Sequence, residues 1–187
     1  MKLYSFMALV LALSLFSCGG ASSDSEASED GEDMAQSDLP RTLQNATKWV
    51  DLNDYYVNAS IAIPDETQGE SEIMVNDFGE THVSVGEIYH VVFAEMIEGD
   101  LNTYISTLSE DLVYTNEIVD QGEDYVLYKS TIADSPMDPE FHFYAIKTID
   151  GIAFEIHDYN EEGGYAESIT RRMLDSVNNL KSNNSPS

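Results

Sequence analysis

The residues whose types and spacing could do chemistry gather late in this chain, around Asp150-Gly151. An Asp-Gly pair between alternating apolar runs predicts a two-residue type I′ hairpin turn. That turn pairs Ile149 with Ile152 and sets the register of two strands, Phe141–Ile149 and Ile152–Asp158. One face then carries Phe141, Phe143, Ile149, Ile152, Phe154 and Ile156, a core face. The other carries His142, Tyr144, Ile146, Ala153, Glu155, His157 and Tyr159. In this register His157 opposes Tyr144 and His142 opposes Tyr159. The two histidines become diagonal neighbours, about 7–8 Å apart between backbones. Two imidazoles and a carboxylate suit zinc or a proton relay, so His142, Glu155 and His157 form the candidate metal set. Tyrosine and histidine equally suit a face packed under a helix with polar tips in water, and that plainer reading is preferred.

A second set follows directly. Asp158-x-Asn160-x-Glu162-Gly163 matches the start of a calcium loop. Position twelve falls on Ile169, where a bidentate Glu is needed, and Glu167 comes two residues early. A Gly-Gly turn into a helix is the plainer reading. Asp134, Asp138 and Glu140 form an acidic loop around two prolines, suited to a basic partner or to solvent. His82 and His90 fall on opposite faces of a hairpin turned at Gly86-Glu87. No nucleophile elbow, zincin helix or phosphate loop is present in the sequence.

The elements that must position these residues read clearly. Strands are predicted at 59–63, 72–76, 82–85, 88–94, 114–120 and 125–132, besides the 141–149/152–158 hairpin. Leu101, Tyr104, Ile105, Leu108 and Leu112 recur at helical spacing, with Asp100 available as N-cap. A last helix spans 165–180, its stripe Ala166, Ile169, Met173, Val177 and Leu180. Trp49, the only Trp, seals one edge of the core. The fold class is α+β: a largely antiparallel sheet of about seven or eight strands flanked by two amphipathic helices.

The N-terminus carries a different signal. Met1-Lys2 precedes the apolar run Leu3–Phe16, too short for a membrane span of about 20 residues. Leu15-Phe16-Ser17-Cys18 resembles a lipobox, with Phe16 departing from the usual small residue. The resemblance, to lipoproteins of the Bacteroidota, implies cleavage after Ser17 and lipidation of Cys18. Gly19 at the next position then points to the outer membrane, by analogy with enterobacterial sorting. Several acyl chains give stable membrane residence. Residues 18–40 form an acidic Gly/Ser tether expected to be disordered. Residues 41–182 form one domain, and 183–187 a disordered tail.

That domain also resembles the PsbP-like α/β/α sandwich family. The matching features are the Ala59-Ser60-Ile61-Ala62-Ile63-Pro64 strand, the long meander and Met173-Leu174-Asp175-Ser176-Val177 in a closing helix. The resemblance implies a non-catalytic accessory or binding role and carries over no site residue. A formal net charge of −27 repels nucleic acid and favours cations, basic partners or solubility. One cysteine permits no internal disulfide. The expectation is a lipid-anchored, non-catalytic envelope domain that binds or supports another envelope component, without cofactor. The alternatives are a metal-dependent enzyme or module at His142/Glu155/His157 and a calcium-responsive domain at Asp158, Asn160 and Glu162.

Overall fold

A computed structural model describes residues 39–159 and 163–183. Among them, ten strands make two antiparallel sheets. The small sheet orders β1 (Thr47–Asp51), β2 (Ala59–Pro64) and β10 (Lys181–Ser182) as β1-β2-β10. The large sheet holds β3 (Ser71–Val75), β4 (Thr81–Val85), β5 (Tyr89–Glu95), β6 (Thr115–Gln121), β7 (Tyr125–Thr131), β8 (Glu140–Ile149) and β9 (Ile152–Asp158). Its order is β3-β4-β5-β9-β8-β7-β6. Two α-helices join them, α1 (Leu101–Ser109) and α2 (Glu167–Asn178). The protein is therefore α+β and mostly antiparallel, but the strands divide between two sheets where one sheet of seven or eight was expected.

Alternation along the strands decides the layers. Val83, Val85, Val91, Phe93, Leu127, Phe143, Ala145 and Ile156 are buried on one face of the large sheet. They meet Ile61 and Ile63 of the small sheet, and Met173, Leu174 and Val177 of α2. The main core thus lies between the large sheet on one side and the small sheet with α2 on the other. Thr170 of α2 donates its hydroxyl to the Phe141 carbonyl at 3.1 Å, and Arg172 reaches the Ala46 carbonyl at 2.7 Å. These bonds tie α2 to β8 and to the entry of β1. Trp49 is partly buried against Leu39, Leu43 and Ala62, a satellite cluster on the small sheet, with Lys181 Nζ 3.9 Å over its ring.

The Asp150-Gly151 turn pairs Ile149 with Ile152 as expected, with φ of 51° and 81° at its two central residues. Four expectations need correction. Ile152 stays 42% exposed because it borders the turn. Leu112 is fully exposed because α1 stops at Ser109, leaving Leu112 outside the helical stripe. The last helix starts at Glu167, not Tyr165, because Tyr165 exchanges both backbone hydrogen bonds with Phe141. His142 does not oppose Tyr159. The β8–β9 ladder ends at Tyr144–His157, and the Tyr159 N–H goes to the His90 carbonyl instead.

Packing also runs slightly past the expected domain limits. Leu39 is buried, and Asn183 donates its side-chain amide to Asp51 at 2.7 Å. Cys18, Asn160 and Glu162, with most of the tether and tail, lie outside the described residues.

The short helix α1 depends on its cap. Asp100 accepts from the Thr103 N–H at 3.0 Å, satisfying one orphan donor of the first turn, and from the Thr103 hydroxyl at 2.9 Å. We expect Asp100→Ala to lower stability by about 1 kcal/mol, and Asp100→Asn by only a fraction of that. Urea denaturation of the two variants checks it; equal losses would contradict the cap's role.

Candidate functional site

The chain has four histidines, and all four project from the face of the large sheet opposite the core. α1 covers only part of that face. Its Leu101, Tyr104 and Ile105 settle on Val126, Tyr128, Tyr144 and Ile146 of β7 and β8. Beside this cover opens a cleft of about 360 Å³, walled by Tyr104, Tyr128 and Tyr144 with His142, Glu155 and His157. That volume lies at the small end of the roughly 300–1,000 Å³ range of ligand pockets. A second hollow of about 280 Å³ shares Tyr128 and His142 with it and extends to Asp111, Asn116 and Glu140.

The tyrosines are locked together. Tyr104 stacks on Tyr144 with centroids 3.8 Å apart and planes 8° from parallel. The Tyr104 and Tyr128 hydroxyls share a hydrogen bond of 2.9 Å, and Tyr128 stacks on His142 at 5.3 Å. Tyr144 donates its hydroxyl to Glu155 Oε2 at 2.8 Å. Burial pushes all three phenols above their ordinary pKa. They remain neutral at physiological pH and act as hydrogen-bonding groups, not as phenolate bases.

Asp158 governs both cleft imidazoles. Its side chain is 3% exposed. Oδ1 accepts the Phe143 N–H at 2.7 Å, and Oδ2 meets His142 Nδ1 at 2.9 Å. Its backbone carbonyl meets His157 Nδ1 at 2.8 Å. Carboxylate and carbonyl oxygens only accept, so each imidazole carries a proton on Nδ1. In the neutral rings, each Nε2 is then an acceptor. Burial opposes protonation of His142. The hydrogen bond and charge of Asp158, helped by Glu140, outweigh it and hold the His142 pKa above the ordinary value. Gly164 lies close enough to His142 that a Cβ there would sit 2.8 Å from Nε2.

A second polar cluster continues along the face. His82 Nδ1 lies 2.9 Å from His90 Nε2, and Tyr159 meets both rings edge-on. This corrects the expectation that the two histidines occupy opposite faces. A three-residue turn, Gly86 to Ile88, pairs Val85 with Tyr89, one residue later than a two-residue turn would. A one-residue shift moves every side chain of the partner strand to the other face. The cluster is oriented from the β3–β4 turn. Asn76 Oδ1 accepts from the Phe78 and Glu80 N–H groups, so its Nδ2 points at His82 Nε2, 3.1 Å away. His82 therefore accepts on Nε2 and donates from Nδ1 to His90.

The sequence places His142, Glu155 and His157 on one face, and all three line one cleft. Among the described residues no three His, Cys, Asp or Glu side chains form a metal-binding group. His142 is held by Asp158 and Glu155 by Tyr144. The calcium reading also meets a competing use of its first residue, because both carboxylate oxygens of Asp158 are engaged internally. No family model, curated protein or solved structure matches this chain. Tyr104, Tyr128 and the orienting role of Asp158 were not foreseen. Tyr104 falls in an apolar helical stripe and Tyr128 in an alternating strand, so spacing alone marks neither as a site residue.

The histidine pair makes stability depend on pH. Burial, with the charges of His82 and His157, lowers the His90 pKa to about 4. In the unfolded chain it lies near 6.5. The contribution is present above about pH 6.5 and is lost as pH falls towards about 4. We expect the melting temperature of the protein to fall across that window, and His90→Gln to flatten part of the fall. Equal slopes for wild type and variant would contradict this.

Proposed function

We propose that this chain is a lipid-anchored, non-catalytic domain of the cell envelope, held at the outer membrane through Cys18. We further propose that it binds another envelope component in the cleft beside α1. The cleft itself is the observation that supports binding: three interlocked tyrosines and two oriented histidines around a concave polar-aromatic wall. Such walls combine apolar contact area with fixed polar atoms, the composition of ligand sites. Glu155 and Asp158 are engaged by internal donors, and the phenols stay protonated. Groups so committed suit holding a ligand better than exchanging protons with it. The resemblance of Ala59–Pro64 and Met173–Val177 to the PsbP-like sandwich belongs to this same reading. The lipobox resemblance at Leu15–Cys18 supports the anchor.

Metabolic labelling with palmitate is the test. Wild type should incorporate label and fractionate with membranes, and Cys18→Ser should do neither. Labelled Cys18→Ser, or soluble wild type, would contradict the anchor. Cross-linking from the same membranes should join wild type to an envelope component and fail for Tyr104→Ala. Products independent of Tyr104 would remove the cleft from the proposal.

A further inference from the structure

The hydrogen-bonding groups of the cleft are unevenly divided between donors and acceptors. Glu155 Oε2 receives the Tyr144 hydroxyl, and among the described residues Oε1 has no partner. Tyr144 has given its only proton to Glu155, so its oxygen can only accept. His157 has given its Nδ1 proton to the Asp158 carbonyl, so Nε2 is an acceptor in the neutral ring. On the donor side, one spare hydroxyl proton remains on whichever of Tyr104 and Tyr128 accepts in their mutual bond. Among the described residues no Lys or Arg lines the cleft. A carboxylate, an imidazole nitrogen and a phenol oxygen thus look for donors from the ligand.

We propose that this cleft takes a primary ammonium group, presented on a small organic molecule or side chain. The proposal rests on reading the cleft as a binding site and deepens it. An ammonium carries three N–H donors and no acceptor, which answers the acceptor set group for group. Glu155 supplies the opposite charge, and the aromatic walls favour a cation with a short hydrocarbon stem. An anionic ligand would meet the Glu155 carboxylate, while the cationic candidate in the wall, His142, is already committed through Nδ1 to Asp158. The net charge of −27 raises the local concentration of cations around the whole molecule. The selectivity argued here comes from the cleft, not from that field.

The probes are n-butylammonium chloride, 1-butanol and tetramethylammonium chloride, titrated into the full-length protein at fixed ionic strength. Side-chain NMR signals of Tyr144 and His157 report binding. n-Butylammonium should shift them saturably, with an apparent affinity at least tenfold above either other probe. Butanol keeps the stem without the charge; tetramethylammonium keeps the charge without N–H donors. Glu155→Gln should weaken the ammonium response at least tenfold while the backbone spectrum is otherwise retained. The three-probe comparison on wild type decides the matter even if that variant does not fold. Equal responses to the three probes, or none at Tyr144 and His157, would overturn the ammonium proposal. If Tyr104-dependent cross-linking survives that result, binding at the cleft stands and only the ligand class falls.

Discussion

Asp158 is the constraint on which the rest of the site depends. It stands where the β8–β9 ladder stops, and its carboxylate takes the Phe143 N–H beyond the last paired residues. A buried carboxylate must be satisfied by strong donors or it costs several kcal/mol. Here the donors are a backbone amide and the His142 ring. The strand end beyond Asp158 then turns to β5, where the Tyr159 N–H reaches His90. One residue thereby parts two strands and orients His142. Through its carbonyl it also orients His157.

The two helices give the large sheet unequal faces. α2 is tied down by Thr170 and Arg172 and helps close the main core. α1 is short, capped by Asp100, and covers only the β7–β8 side. That incomplete cover leaves the cleft. The interlocked tyrosines make its wall firm, because Tyr104 is fixed by a stacked ring and by a hydroxyl partner together. A wall built this way is pre-ordered for a ligand and loses little side-chain freedom on binding.

Much of this was legible in the sequence where geometry is local. The Asp150-Gly151 turn fixes the β8–β9 register, so His142, Glu155 and His157 were correctly placed on the face opposite Phe143 and Ile156. Asp100 was readable as a cap because its partner is three residues away. The His82–His90 contact was not readable, because it turns on a three-residue rather than a two-residue loop at Gly86. The Tyr104–Tyr144 stack was hidden for another reason: it joins a helix to a strand forty positions away by packing alone. The metal and calcium readings relied on side chains that the fold gives to one another, His142 to Asp158 and Glu155 to Tyr144. Sequence spacing does not reveal such prior commitments.

Above all, Asp158 orients the cleft imidazoles. The direct measurement is an NMR pH titration of His142 in full-length wild type and in Asp158→Asn. Wild-type His142 should show a pKa above the ordinary value of about 6.5, with the neutral ring protonated on Nδ1. In Asp158→Asn the pKa should fall below that value, because burial then acts without the opposing carboxylate. A wild-type pKa at or below about 6.5, or one unchanged in the variant, would contradict the account.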